Sequence, residues 1–226
     1  MSKPSENLTA SEDAESSRQT PKFSPEQRRV LLAIAHEAIM TKLAEKPFPD
    51  WRRWSAVAVL GGSESDAASR LHAQAWWAAL EAPCGVFTTL YWRGELRGCV
   101  GYVAAVRPLF QAVAETACAA AFEDSRFWPV TAVEAPELKI SLSVLSETFP
   151  IEAAQVEVGC HGLVISDGVR RGLLLPQVPV EHGWDRVTFL EQTCRKAGLP
   201  LDAWKRRSAT LEAFVAEVFG DAEALG

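Results

Sequence analysis

Apolar residues recur at helical spacing through Val30, Leu31, Ile34, Ala38, Ile39 and Leu43, a pattern that predicts an amphipathic helix with one buried face. Ser24 stands as its N-cap, Pro25 as its first helical residue and Gln27 as the partner that closes a capping box, and Pro47 and Pro49 stop it. Trp51-Arg52-Arg53-Trp54 reads as a loop, Gly61-Gly62 as a break, and Asp66 to Leu80, with Leu71, Trp76 and Trp77, as a second helix. The period then changes. Gly85 to Trp92 is rich in β-branched and aromatic residues and runs into the turn pair Arg93-Gly94, so a hairpin returns through Glu95 to Tyr102. Pro108 opens an alanine-rich helix with Leu109, Val113, Ala117 and Ala121 on one stripe, ending near Glu123.

Asp124 to Pro129 is a loop, and Leu138 to Val144 alternates apolar with polar residues as a half-buried strand does. A second hairpin is predicted from Gly162 to Leu175 around the turn Ser166-Asp167-Gly168. Asp185 caps a helix carrying Val187, Leu190 and Cys194 that stops at Gly198 with Pro200 beyond, and Thr210 to Phe219 supplies a last strand. These elements imply an α+β fold: a largely antiparallel, mixed sheet made of both hairpins and the Leu138 strand, covered by the Pro25, Pro108 and Asp185 helices. The first and last of those helices are expected to form a smaller lobe beside a large one. Residues 1–23 are polar and aperiodic and are expected to be a disordered tail, followed by one domain over 24–220 and a C-terminal tail over 221–226.

Composition narrows the function classes. The 226 residues are 48% hydrophobic and 23% charged with 8 Trp, enough apolar surface for a packed core. A net charge of -6 argues against broad capture of polyanions. The short basic stretches at Arg52-Arg53, Arg170-Arg171 and Lys205-Arg206-Arg207 read as solvated surface, with RNA binding the weakest functional reading. The 5 cysteines are an odd set with no Cys-x-x-Cys pair, which fits free thiols in a reducing compartment. With no signal-peptide pattern and no run of about 18 apolar residues, a cytoplasmic location is expected. No phosphate loop, dinucleotide fingerprint or metal-ligand spacing is present in the sequence, so no cofactor and no metal are assigned.

Leu96-Arg97-Gly98-Cys99-Val100-Gly101, followed by Phe122-Glu123-Asp124-Ser125-Arg126-Phe127, resembles the AMMECR domain family. Gly159 to Leu163, Arg171 to Val178 and Gly183 to Leu190 resemble further blocks of that family in the same order, so the resemblance runs from about Ser24 to Phe219. Its prokaryotic branch is known as system protein A of the AmmeMemoRadiSam set. That resemblance implies partners like a Memo-type protein and a radical S-adenosylmethionine enzyme, without naming a reaction. The sequence departs from the pattern in its longer Asp66 to Leu80 stretch and at His182, where a bulkier residue is expected, and no role is carried over to Val180-Glu181-His182.

Strand alternation would put Arg97, Cys99 and Gly101 on one face of the return strand, and a guanidinium beside a thiol favours the nucleophilic thiolate. His161, between Cys160 and Gly162, is the candidate acid or base. Cys99, His161 and Arg97 are therefore the candidate catalytic set. Gly98, Gly101, Asp124, Arg126 and Phe127 are candidate binding residues, the glycines because they let a ligand or a backbone approach closely. The competing readings stay open: Cys99 as a small packing residue with Arg97 paired to a carboxylate such as Asp124, and His161 as a hydrogen-bonded structural residue. A non-catalytic interaction module using the same strand face and the Asp124 to Trp128 loop is the alternative to an enzyme or enzyme component.

Overall fold

The computed structural model describes residues 23–58, 74 and 76–222. Residues 1–22 of the expected tail, most of the Asp66 to Leu80 helix and residues 223–226 lie outside them; Phe23, counted with that tail, is buried against Phe219.

Helix α1 (Pro25–Leu43) begins as the sequence dictates: the Gln27 amide donates to Ser24 Oγ at 3.2 Å, and the Ser24 amide donates to Gln27 Oε1 at 2.9 Å. Its Val30, Leu31, Ile34, Ala38 and Ile39 are buried. The Trp51 stretch, read as a loop, is instead helix α2 (Trp51–Ala58), because the Asp50 carboxylate accepts the Arg53 amide at 3.2 Å and caps it. Trp51 and Trp54 meet edge to face with centroids 5.7 Å apart. Residues 76–81 are helical, in keeping with the end of the expected second helix.

Strands β1 (Val86–Trp92) and β2 (Glu95–Tyr102) form the first hairpin, followed by α3 (Leu109–Phe122) and β3 (Lys139–Leu145). Then come β4 (Phe149–Pro150), the second hairpin of β5 (Gly162–Asp167) and β6 (Arg170–Leu174), the short α4 (Gln177–Glu181), and α5 (Arg186–Lys196). The chain finishes with β7 (Thr210–Phe214) and β8 (Ala216–Gly220). The α+β class holds, but the single sheet does not. The strands form two antiparallel four-stranded sheets, ordered β2-β1-β3-β8 and β4-β7-β5-β6, and the two hairpins sit in different sheets.

What separates the sheets is a break in two neighbouring strands. β3 continues into β4 and β7 into β8, and at the crossing the Ser146 amide donates to the Val215 carbonyl at 2.8 Å while the Val215 amide donates to Ser146 Oγ at 3.0 Å. The run from Thr210 to Phe219, read as one strand, is thus two strands that change sheet at Val215. The expected pairing of the first and last helices fails for the same reason: α1 and α3 cover the first sheet, while α5 covers β5 and β6 of the second.

The main core fills the space between α1, α3 and one face of the first sheet, where Val86, Leu90, Ile140 and Leu142 meet Leu31, Ile34, Leu109 and Val113. Each such side chain contributes roughly 1.5–3 kcal/mol by leaving water. A second core joins Leu163 to Phe189 and Leu190 under α5. Phe87 and Leu145 of the first sheet pack with Val164 and Phe214 of the second, which fixes how the two sheets lean on each other. Among the described residues no helix is long and apolar enough to cross a membrane.

Candidate functional site

The first sheet hides one face under α1 and α3. On its other face, strand pairing sets Cys99 of β2 beside Thr89 of β1, and Thr89 beside Ser141 of β3, in one row across the sheet. Thr89 Oγ1 donates to Cys99 Sγ at 3.3 Å. Cys99 and Thr89 are half-buried and Ser141 is buried. Tyr91, two residues along β1, lies on the same face. Burial pushes its phenol up in pKa, and the ionisable groups of Cys99 and Glu181 add to that shift, so the end of α4 is within electrostatic reach of this row. Glu181 also lines a cleft of about 240 Å³ with Gln177, Cys160 and Val218.

The Arg97 expectation is corrected by a bulge. β1 and β2 pair Tyr91 with Leu96 but Leu90 with Gly98, so Arg97 is an extra residue that breaks the alternation. Its guanidinium goes to Glu134, with Nε to Oε1 at 2.9 Å and Nη2 to Oε2 at 3.3 Å. A forked pair of this kind is a rigid structural tie, and it commits Arg97 to a carboxylate rather than to the thiol. Arg97's hydrogen bonds, together with those from Thr131, outweigh burial and hold the Glu134 carboxyl at about 2.

Because that folded value lies below the unfolded value of about 4.3, the stability Glu134 contributes is complete above the unfolded value and is lost as the pH falls through the folded one. Glu134→Gln is expected to melt at a lower temperature than wild type at neutral pH, with the two melting curves converging as the pH approaches 2. A gap of constant size across an acid titration would refute this assignment.

The cation that does approach Cys99 is Arg126. Asp124 Oδ2 accepts the Cys99 amide at 2.9 Å and Arg126 Nη2 at 2.7 Å, and Arg126 Nη2 stands 3.5 Å from the Cys99 carbonyl. Together the carboxylate and the guanidinium occupy the hydrogen-bonding edge of β2 as a neighbouring strand would. Arg126's hydrogen bond, helped by the Cys99 and Arg126 amides and opposed by burial, holds the Asp124 carboxyl far below the usual carboxylate range. Phe127 lies beside the same guanidinium, with Arg126 Cζ 5.4 Å from its ring centre.

The glycines of the motif admit protein rather than ligand. A Cβ on Gly98 would stand 2.1 Å from the Ala120 carbonyl oxygen, so α3 reaches β2 only because Gly98 lacks one. A Cβ on Gly101 would enter the Phe87 ring at 2.4 Å. His161 belongs to the second sheet, at the entry to β5, where it is buried. Its Nδ1 accepts the Glu157 amide at 3.0 Å and its ring meets Phe149 edge-on at 6.0 Å. That nitrogen is already an acceptor for the backbone and is not free to take a proton from a thiol.

The structure thus brings Cys99, Asp124 and Arg126 together and sends Arg97 to Glu134. A model of the AMMECR1 family matches residues 33–219. The chain belongs to the AMMECR1 family. A protein of Aquifex aeolicus is 43% identical over 150 residues, covering 63% of this chain and 77% of its own. One of Methanopyrus kandleri is 43% identical over 152 residues, covering 63% of this chain and 73% of its own. The crystal structure of an uncharacterized protein from Pyrococcus horikoshii superposes with a TM-score of 0.70 at 32% identity, covering 91% of this chain and 97% of that one. The family blocks at Leu96 to Gly101 and Phe122 to Phe127 are therefore the two sides of one edge: the first is strand β2 and the second carries its carboxylate cap.

Thr89, Tyr91, Ser141 and Glu181 are the site residues that the sequence reading missed. Alternation within β1 and β3 marks the first three as sharing a face. Nothing local in Pro176-Gln177-Val178-Pro179 marks the short helix that carries Glu181. Among the described residues no group of three or more His, Cys, Asp and Glu is arranged to hold a metal ion.

Proposed function

We propose that this AMMECR1-family protein is an enzyme or enzyme component whose reactive group is the Cys99 thiol. It acts in a modification pathway beside a Memo-like protein and a radical S-adenosylmethionine enzyme, the partners implied by the family resemblance. The observation that carries the reading is the Thr89 hydroxyl donating to Cys99 Sγ at 3.3 Å within a half-buried polar row. The Thr89 hydroxyl gives the sulfur a fixed polar partner, and the Asp124 clasp on the Cys99 amide fixes the backbone that carries it. The other thiols fit the part less well. Burial pushes Cys118 up to about 11 and raises Cys194, and Cys84 is buried, leaving Cys160 as the other half-buried thiol.

The test is the rate of iodoacetamide labelling at each cysteine in the native protein, read by mass spectrometry. Cys99 is expected to label first, and Thr89→Val to slow it roughly three- to tenfold as the hydrogen bond to sulfur is lost. Cys118 and Cys194 are expected to react only on unfolding. If Cys99 also labels only on unfolding, or if Cys99→Ser matches wild type in a system reconstituted with both partners, the thiol reading fails.

A second reading, a non-catalytic interaction module, rests on Trp128. This indole is 88% exposed on the loop next to Phe127, at the β2 edge. Trp128→Ala that abolishes partner binding while Cys99→Ser does not would select it. The basic stretches favour neither reading: Arg52 pairs with Glu81, Arg171 with Glu212 and Arg206 with Asp202, and Trp51 is buried.

A further inference from the structure

Four facts about strand β8 point the same way. First, β8 has a hydrogen-bonded neighbour on one side, β3, and ends the first sheet. Its phase is fixed: the Asp221 amide donates to the Ile140 carbonyl, and the Val215 carbonyl accepts the Ser146 amide. By antiparallel alternation Glu217 and Phe219 face β3 and the backbone groups of Ala216, Val218 and Gly220 face outward. The opposite edge of the sheet, β2, is closed by Asp124 and Arg126, while among the described residues nothing pairs with β8 on its outer side. An open edge is a template for another strand.

Second, the edge has a groove on each face. On the helix side a cavity of about 550 Å³ runs between α1 and β8, lined by Arg28, Arg29, Leu32, His36 and Phe219. On the other side lies the cleft of about 240 Å³ lined by Pro176, Val180 and Val218, with Glu181 and Cys160. Side chains of an added strand alternate between the two faces, so successive residues would fall into one groove and then the other.

Third, the grooves differ in charge. Arg28 pairs with Glu217 at 2.8 Å and His36 with Asp221 at 2.9 Å, and Arg29 is exposed with no ion pair among the described residues. Arg29 is therefore the guanidinium of the helix-side groove left open to an acidic side chain of an incoming strand. Fourth, Val218 is 48% exposed at the centre of the edge and contributes apolar surface on the cleft side.

We propose that β8 is a docking edge for an extended segment of a partner protein, taken up as a further strand, with acidic residues at alternate positions facing Arg29 and apolar residues between them facing Val180 and Val218. Main-chain bonds to Val218 and Gly220 give affinity, and the two grooves give the sequence preference. This inference does not depend on the reactivity of Cys99.

The experiment uses the full chain and a fluorescent octapeptide, Thr-Glu-Val-Glu-Val-Glu-Val-Thr, beside a control with Lys in place of each Glu. Anisotropy is expected to show the Glu peptide binding at least tenfold more tightly than the Lys peptide, and Arg29→Glu is expected to reverse that order. Val218→Pro removes an outward amide without taking a bond from β3, a change edge strands tolerate, and is expected to weaken the Glu peptide at least tenfold. Should that variant fold poorly, amide exchange in the wild type decides: the Val218 and Gly220 amides must slow when the peptide is added. Equal affinity for both peptides, no binding, or unchanged exchange at those amides overturns the proposal. Protection of the same amides in the protein alone would also overturn it: growth of the particle with concentration would give the edge to a second copy, and constant size to residues 1–22 of this chain.

Discussion

Gly98→Ala is expected to lower the thermal midpoint by about 6–12 °C, the shift that roughly 3 kcal/mol produces in a chain of this size. The added methyl would meet the Ala120 carbonyl oxygen at 2.1 Å, and that oxygen is part of the α3 backbone. Relief requires the helix to move off the sheet, and α3 is held in place on its other side by α1 through the main core. No flexible side chain stands in the way to absorb the change. Overpacking of this kind costs most where the neighbour is backbone, so Gly98→Val should be worse than Gly98→Ala. A midpoint within 2 °C of wild type by calorimetry would show that α3 can retreat freely.

Asp124→Ala is expected to destabilise the protein by about 2–4 kcal/mol, and Asp124→Asn by about half as much. The carboxylate side chain is 6% exposed and accepts from the Cys99 amide, the Arg126 amide and the Arg126 guanidinium. Alanine leaves the Cys99 amide without its acceptor at the sheet edge and releases Arg126 from the backbone. Asparagine keeps an oxygen for the Cys99 amide but gives up the ionic share. Urea unfolding measures both losses, and iodoacetamide labelling in the same samples asks whether the clasp matters to the thiol: Cys99 should label with altered rate in both variants, more so in Asp124→Ala. Equal stability of all three proteins would mean that solvent replaces the carboxylate without cost.

Local structure was legible where a few neighbouring residues decide it. Ser24 and Gln27, Asp185 and the Arg93-Gly94 turn act over one helical turn or one hairpin, and each does in the structure what its type and spacing predict. The α+β class followed from the same signals. The number of sheets did not, because it depends on Val215 and Ser146 exchanging hydrogen bonds across 69 residues of sequence, and no local pattern announces that crossing.

The site shows the same limit at finer scale. A regular hairpin closing at Trp92 and Glu95 would set Thr89 opposite Gly98. The bulge at Arg97 moves the register by one and sets Thr89 opposite Cys99 instead. Alternation alone therefore assigned Arg97 to the thiol and could not find the hydroxyl that does touch it. Arg126 and Asp124 were named as candidate binding residues, yet their grip on the Cys99 backbone depends on the loop after α3 folding back along β2. His161 was chosen for its neighbours in sequence, while its hydrogen bond to Glu157 is what places it.

The meeting of Ser146 and Val215 also says something about how such a protein can change. Everything from Phe149 to Phe214 leaves and rejoins the first sheet at a single doorway, whose two sides touch at 2.8 Å. Seen from the first sheet, β3 and β8 are simply the two arms of a hairpin with a long guest in place of its turn. A guest whose ends touch can be lengthened, trimmed or exchanged without pulling the host out of register, which is the condition under which insertions are tolerated. Cys99, Thr89, Asp124 and Arg126 all belong to the host, and Glu181 and Cys160 arrive with the guest. The thiol and its clasp can thus be inherited as one fixed part while the surface that faces them is revised.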